Sequence, residues 1–404
     1  MKKLTLSILL LSSIGLNAQT LNDYFKSAAD NNPGLQAKYK DFEIALQRVA
    51  QMNTLPDPTL SFGYLLKPMN GQRAELSLMQ MFPWFGTLKA QGDVATKMAE
   101  AKYQAFLDAR NQLYYQVATS YYPLYELNLL KQVERENAEI LESYKAIANV
   151  KFRNATGGMV DVLRVDMMLK ESRTNLQILK NKERALTATF NKFQNLKEQD
   201  TVITADSLWL DSLPADYRRD SILNKHPLLQ ELDAKSEASV YSELAARKQG
   251  SPKIGLGVEY MVMDPNSAMS MADKSKGVFM PMASITLPIF RRKYKAAVKE
   301  AQLTQENYLL QKQDLINSLT SGYETAWFEI SQQRELIMLY DQQRTQAEQT
   351  LRLLFTAYGN SGKDFEEVLR IQQELLKYKK MKASAMASYH IALAKLEYIT
   401  SKSR

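Results

Sequence analysis

The segment Phe82-Pro83-Trp84-Phe85 recurs 205 residues later as Leu287-Pro288-Ile289-Phe290. An upstream pair, Asn32-Pro33, recurs as His226-Pro227 at an offset of 194 residues. Prolines and aromatic residues that stay in register over so much of a chain indicate an internal duplication. We therefore expect two structurally equivalent halves, the second carrying 11 extra residues between its strands.

Each half is predicted to contain an opening helix, two strands and a helical hairpin, with a linker between the halves. Prolines end each opening helix and separate each strand pair from its hairpin. The expected bounds are 19–197 for the first half, with strands 57–66 and 73–82 and hairpin 86–196; 198–214 for the linker; and 215–404 for the second half, with strands 252–263 and 277–288 and hairpin 291–401.

The hairpin limbs are predicted to be long helices. No proline lies between Pro123 and Pro214, and apolar residues there recur about every seven positions, which is coiled-coil spacing. The limb 86–153 would be about 100 Å long at about 1.5 Å per residue. The returning limb 160–196 covers only about half of that length, so we expect the opening helix 21–54 to stack end to end on it.

Four segments of about ten residues alternate between apolar and polar side chains, as do strands that cross a membrane in a β-barrel. The first places Leu60, Phe62 and Tyr64 on one face, opposite Thr59 and Ser61. The same alternation also suits a soluble sheet that is buried on one side. Four strands cannot close a barrel, so in a membrane other copies would have to pair the free edges.

Three copies would supply twelve strands and leave a wide lumen. The predicted fold class is therefore mainly α with β. It combines a long α-helical coiled-coil barrel with a transmembrane β-barrel, four strands per chain, closed by homotrimerisation.

The N-terminus is typical of a secretory signal peptide, predicted to span 1–18. Lys2 and Lys3 precede an apolar run that ends at Leu16, and we expect cleavage after Ala18. No other stretch approaches the roughly 20 apolar residues of a spanning helix, so membrane insertion is expected through the strands.

Composition excludes several kinds of site. The chain has no cysteine, which rules out disulfides, thiolate metal ligands and the acylated cysteine of a lipoprotein, so no lipid anchor is expected. The net charge of +8 is spread along the chain and interleaved with acids, which favours solvated helix surfaces over nucleic-acid binding.

Together these features resemble the TolC family of outer-membrane factors over nearly the whole mature chain. The resemblance rests on the Asn-Pro pair near the mature N-terminus, the proline that ends each second strand, and an aromatic residue followed by a glycine turn and Val-Leu. It implies a homotrimer whose twelve-stranded barrel contacts outer-membrane lipid in a Gram-negative cell, continued by a helical tunnel into the periplasm.

The resemblance also implies a function: the passive exit duct of a tripartite efflux system. Such a duct works with a periplasmic adaptor (membrane fusion protein) and an inner-membrane pump, here expected to be of the RND type. It has no catalytic residue and no cofactor.

A periplasmic gate near the second hairpin turn is implied as well. Glu367 matches the position of an acid ring, Arg370 stands where the family has a second acid, and Lys363 takes the place of the turn's basic residue. Asp161 is the matching acid of the first half. Three symmetry-related carboxylates in a narrow neck would attract cations and raise one another's pKa. Alternatively, Asp161 and Glu367 simply favour a helix N-terminus.

The two hairpin turns are the candidate adaptor contacts, because they lie at the far end of the predicted tunnel. Their residues are Asn154, Thr156, Gly157 and Gly158 in the first turn, and Gly359, Asn360, Ser361, Gly362 and Asp364 in the second.

Six methionines fall on the polar phase of the strands, the side that would face the lumen. Thioether sulfur suits Cu(I) or Ag(I), which raises a heavy-metal (Cus/Czc-like) branch of the family as a hypothesis. Adaptable packing is the alternative interpretation. The six are Met79, Met81, Met261, Met263, Met280 and Met282.

One function of a different class stays open: a periplasmic coiled-coil scaffold or adaptor whose strands form a soluble sheet. The sequence contains no nucleophile, zinc or phosphate motif. Its two histidines, His226 and His390, have no plausible partner in sequence, so we do not expect an enzyme.

Overall fold

The computed structural model describes residues 20–69, 72–210, 225–263, 277–361 and 365–401, so the predicted signal peptide lies outside the described residues. The chain is mainly helical, with one four-stranded sheet, as predicted. Its elements are α1 (Leu21–Asn31), α2 (Pro33–Met52), β1 (Thr59–Met69), β2 (Gln72–Phe82), α3 (Thr87–Arg153), α4 (Met159–Phe193), α5 (Pro227–Gln249), β3 (Lys253–Met263), β4 (Gly277–Thr286), α6 (Arg291–Ser361) and α7 (Phe365–Ile399).

Two helices run the length of the helical region. Helices α3 and α6 contain 67 and 71 residues, so each is about 100 Å long. Helix α3 packs against both α2 and α4, and α6 packs against both α5 and α7. The predicted arrangement, in which two shorter helices share one long partner, is confirmed.

Within the described residues, no helix has the length and apolar character needed to cross a membrane.

Asn32 marks the joint between the stacked helices. The opening helix was predicted to run unbroken over 21–54, and this prediction is wrong, because α1 ends and α2 begins at Asn32. A residue before proline disfavours helical geometry, and Asn32 is extended at φ −71° and ψ 116°. Its Oδ1 accepts a hydrogen bond from the Leu35 N–H (3.0 Å), while its Nδ2 donates to the Phe193 carbonyl (2.9 Å). One side chain therefore caps the start of α2 and the end of α4.

His226 occupies the equivalent position in the second half, before the first residue of α5. It precedes Pro227 in extended geometry, and its Nδ1 accepts a hydrogen bond from the Leu228 N–H at 3.3 Å. Its ring is buried against Tyr398 of α7, and this burial lowers its pKa to about 4, so the imidazole is neutral at pH 7. Both repeated X-Pro pairs thus cap the helix that follows them.

The four strands form one antiparallel sheet in the order β1-β2-β3-β4. All four strands join helices at the same end of the sheet, and the β1–β2 turn lies at the opposite end. Each outer strand, β1 and β4, pairs on one side only within the described chain. The sheet is therefore an open ribbon with two free edges.

Strand bounds differ modestly from those predicted. Strand β1 was expected over 57–66 but runs from Thr59 to Met69, with a register irregularity between Tyr64 and Met69. Pro58 supplies no N–H for pairing, which delays the start of the strand. At the other end, β4 was expected to reach 288 but stops at Thr286, which pairs with Lys253, the first residue of β3.

A buried polar network joins the two hairpins in the half of α3 that lies away from the sheet. Glu134 of α3 is only 1% exposed, pairs with Lys380 of α7, and accepts a hydrogen bond from the Ser172 hydroxyl of α4 (2.7 Å). Beside it, Asn137 donates to the Ser172 Oγ (3.3 Å) and accepts from the Gln372 amide (3.0 Å). The network ties three helices together at a fixed register.

Nearer the sheet, Asp108 is buried between the halves. It is 8% exposed, and the Tyr398 hydroxyl donates a hydrogen bond to its Oδ1 at 3.3 Å. Burial raises the pKa of Asp108 to about 6, and the negative charge of Glu231 adds to this effect. The Asp108 carboxyl group therefore binds a proton more tightly in the folded protein than in the unfolded chain.

The sign of that pKa shift predicts a stabilising substitution. Because the folded-state pKa is raised, Asp108 weakens folding as pH rises from about 4 through 6, and its ionised form costs roughly 3 kcal/mol at pH 7. We expect Asp108→Asn to raise the melting temperature at pH 7 but not at pH 4, measured by circular dichroism.

Asp341→Asn is the matched control. A hydrogen bond from Lys382 lowers the pKa of Asp341, so its removal should destabilise the protein at pH 7. An Asp108→Asn variant no more stable than the parent at pH 7 would contradict the assignment.

Candidate functional site

One face of the sheet is apolar and uncovered. The register places Leu76, Tyr260 and Phe279 abreast across three strands, and β1 continues the band with Leu60 and Phe62. Phe62 is 71% exposed and Phe279 66% exposed, since no helix of the described chain covers this face. A soluble sheet buried on one side would hide these residues, so the band has the character of a surface that contacts another apolar phase.

The opposite face carries the methionines. All six candidate residues share it, as their alternation in the strands predicts. A Cβ placed on Gly255 would lie 2.7 Å from the Met81 Sδ and 3.0 Å from the Met79 Sδ, so the two thioethers converge over this glycine. The Ser284 hydroxyl donates to the Met79 sulfur at 3.6 Å. Because Gly255 has no side chain, there is space above it for the sulfur atoms of both methionines.

At the far end of the helices, Glu367 lies in the first turn of α7 and is partly exposed. It is paired with Arg370, whose Nε donates to the Glu367 Oε2 at 2.9 Å and whose Nη1 donates to Glu374 at 3.1 Å. The hydrogen bonds and charge of Arg370 hold the pKa of Glu367 below its usual value. Within one chain, the candidate acid is thus ionised and partly neutralised by the residue that replaces the second acid.

Asp161, the matching acid of the first half, lies in the first turn of α4. Its charge affects the pKa of Tyr358, near the end of α6. Burial first, and the charge of Asp161 second, raise the pKa of Tyr358. Lys151 of α3 lies 3.8 Å from the centroid of the Tyr358 ring and donates to the Tyr358 carbonyl at 2.6 Å. The sequence analysis did not predict a role for Lys151. In the sequence, this residue is distinguished only by its position shortly before a glycine-containing turn.

The first hairpin turn is where the sequence predicted it. Helix α3 ends at Arg153, and Asn154, Thr156 and Gly157 lie in the turn before the cap of α4 at Gly158. Ala155 adopts a left-handed conformation (φ 55°), which closes the turn.

The second turn was predicted to begin at Gly359, and this prediction is wrong, because the helix continues to Ser361. Gly359, Asn360 and Ser361 belong to the last turn of α6, while Gly362, Lys363 and Asp364 lie outside the described residues. The Lys151 ammonium donates a hydrogen bond to the Tyr358 carbonyl in the last turn of α6. This contact stabilises the extra helical turn despite the low helix propensity of glycine.

The two hairpin tips form one packed unit. Tyr358 stacks on Phe365 with ring centroids 4.6 Å apart, and both pack with Val162 and Val165 of the other hairpin. An exposed ion pair between Arg164 and Glu366 (2.7 Å) adds a link on the surface. The two hairpin tips therefore share one aromatic core.

Among the described residues, no cluster of three or more His, Asp or Glu side chains is arranged to hold a metal ion. His390 stacks on Tyr122 with centroids 5.1 Å apart, inside the helical core.

Solved structures share this architecture. The outer-membrane channel OprN is 14% identical, covering 95% of this chain and 90% of its own, with a TM-score of 0.79. CusC, from a study of transmembrane channel formation, is 17% identical over 94% of this chain and 91% of its own, with a TM-score of 0.78. The CmeC outer membrane channel of Campylobacter jejuni is 14% identical over 94% and 85%, with a TM-score of 0.76. The chain has the fold of the TolC-type outer-membrane channels.

No protein-family model and no curated protein matches the sequence. The fold implied by the sequence resemblance is nevertheless confirmed over nearly the whole chain. In the terms of that fold, the sheet and the hairpin tips are the two ends of one elongated protein.

The Lys151 contact predicts the local stability of the second tip. A hydrogen bond from a charged donor and a cation–π contact together are worth on the order of 2 kcal/mol. We expect Lys151→Met to speed amide hydrogen exchange at residues 355–361 by roughly tenfold or more. Arg153→Gln, which removes an exposed charge two residues away, is the control, and equal exchange in the two variants would contradict the role of Lys151.

Proposed function

We propose that this protein is the outer-membrane exit duct of an efflux system, active as a homotrimer. The observation that carries the proposal is the open sheet, with an exposed apolar face and two unpaired edges, joined to helices about 100 Å long. The fold shared with OprN, CusC and CmeC supports it.

The apolar face argues for lipid as its environment. Four strands of about ten residues match the length that crosses the hydrocarbon of a membrane at a tilt. The runner-up hypothesis, a periplasmic scaffold with a soluble sheet, needs a cover for this face. The described helices pack against one another and leave the face open.

The free edges argue for three copies. In hydrocarbon, each unpaired N–H or C=O along β1 and β4 would cost several kcal/mol, because no water is present to bond it. Pairing β4 of one copy with β1 of the next removes both edges only when a ring closes. Twelve strands close such a ring around a lumen, with the methionine face inside.

The helices extend the duct into the periplasm, where an adaptor and an inner-membrane pump of the RND type would load it. The hairpin tips are the parts of the chain farthest from the sheet, so they are the proposed adaptor contacts. The first turn, at 154–158, is one surface, and the end of α6 with the residues that follow it is the other.

A gate at the tips is proposed around Glu367 and Asp161. In a threefold ring, Glu367 carboxylates would face a narrow neck, and Arg370 would moderate their negative field. The gate would then depend on the balance between an acid and its own basic neighbour, in place of two acid rings.

Heavy-metal cargo is a second, narrower candidate. The convergence of the Met79 and Met81 sulfurs over Gly255 places soft ligands together on the face assigned to the lumen. Copper or silver tolerance that is unchanged when the gene is deleted would count against this cargo.

The oligomeric state is the direct test of the duct. We expect the detergent-extracted protein to have the mass of three chains by native mass spectrometry, because only a closed ring satisfies the strand edges. A stable, folded monomer in aqueous buffer would refute the proposal.

The gate predicts opposite effects from neighbouring substitutions. Glu367→Gln should lower cation selectivity and weaken block by divalent cations in planar bilayers, whereas Arg370→Gln should strengthen both, since it leaves the carboxylate unpaired. Glu171→Gln on the exposed side of α4 serves as the control. Changes of the same sign in both gate variants would argue against the assignment.

A further inference from the structure

The strand-to-helix junction of the second half is strongly basic. Arg291, Arg292 and Lys293 form the first turn of α6, and Lys253 begins β3 opposite Thr286 at the same end of the sheet. All four are exposed, and none forms an ion pair with an acid of the described chain. We name these four residues the basic junction.

The duplication shows that the fold does not require these charges. At the repeat offset of 205 residues, the first half carries Gly86, Thr87 and Leu88 in place of the three cations of α6. Helix α3 begins equally well at that uncharged sequence. Cations in the first turn of a helix also oppose the helix dipole, so their presence at α6 works against local stability. A partner with negative charge would offset that cost.

Apolar side chains adjoin the basic junction. Phe290, directly before Arg291, is 83% exposed, and Phe85 at the matching position of the first half is 79% exposed. A cleft of about 770 Å³ lies between the two junctions, and Lys253, Lys293 and Pro83 are among its lining residues. Its one acid is Asp57, so cations outnumber acids there.

We propose that the basic junction binds the headgroups of anionic glycerophospholipids at the helical end of the sheet. This inference rests on the proposed function, because it places the sheet in a membrane. The exposed aromatic and aliphatic side chains would lie among acyl chains, while the cations meet phosphate at the level of the headgroups. The combination fits a lipid better than a soluble anion, which would gain nothing from the apolar neighbours.

Trp84 provides a reporter inside this region, since it lies between Pro83 and Phe85. The chain has three tryptophans, so Trp209→Phe and Trp327→Phe leave Trp84 as the only indole. The trimer is reconstituted in phosphatidylcholine vesicles that contain a small fraction of brominated phosphatidylglycerol or, in parallel, of brominated phosphatidylcholine. Bromine quenches indole fluorescence on close approach.

We expect brominated phosphatidylglycerol to quench Trp84 more strongly than brominated phosphatidylcholine. Each cation near an anionic lipid contributes about a factor of five in affinity. The triple variant Arg291→Gln, Arg292→Gln, Lys293→Gln should therefore lower the preference for phosphatidylglycerol by roughly tenfold or more. The control Lys180→Gln, Lys182→Gln, Arg184→Gln removes three exposed cations of α4 and should keep the preference.

The outcomes separate the two proposals. Equal quenching of the unsubstituted junction by both lipids would overturn the lipid site while leaving the channel intact. Loss of the preference in excess inorganic phosphate, but not in chloride of equal ionic strength, would assign the cations to a soluble anion and overturn it as well. Absence of quenching by either lipid would mean that the sheet does not meet the membrane, and the proposed function itself would fail.

Discussion

The unpaired backbone groups along β1 and β4 are the constraint on which the rest of the architecture depends. A four-stranded antiparallel ribbon satisfies its inner strands and leaves two edges open. In water those edges would invite indiscriminate pairing, and in lipid they would be prohibitively costly. The duplication makes the edges compatible, since each copy presents a first-half strand at one side and a second-half strand at the other. A ring of copies is the arrangement that uses both.

The same duplication sets the proportions of the helical region. Each long helix needs a partner along its full length, and each half supplies that partner as two shorter helices stacked end to end. In the first half, one side chain at the joint of this stack satisfies two helix ends at once. Asn32 does so with both atoms of its amide. His226 caps only the helix that follows it, which shows that the halves share a design without sharing every contact.

Much of the fold could be predicted from local patterns in the sequence. Proline spacing, period-two alternation and period-seven recurrence were sufficient for the strands, the long limbs and the stacked helices. The proline at position 33 disfavours helical geometry at Asn32, but the prediction of one helix over 21–54 did not take this into account. The extension of α6 through Gly359 was not predicted, because the Lys151 ammonium that bonds its last turn comes from a residue 207 positions away from Tyr358. Contacts such as Glu134 with Lys380 leave no periodic signature, so only the folded chain shows them.

Two of the ion pairs between the hairpins differ greatly in energy. Glu134 is almost fully buried, so separating it from Lys380 would leave an uncompensated charge at a cost of about 3 to 5 kcal/mol. The Arg164–Glu366 pair is exposed and is worth about 1 kcal/mol or less. The buried network is therefore the stronger of these two links between the hairpins. The network fixes the register of the three helices, and beyond it, toward 151 and 358, a buried aromatic core and the Lys151 contact hold the two tips together.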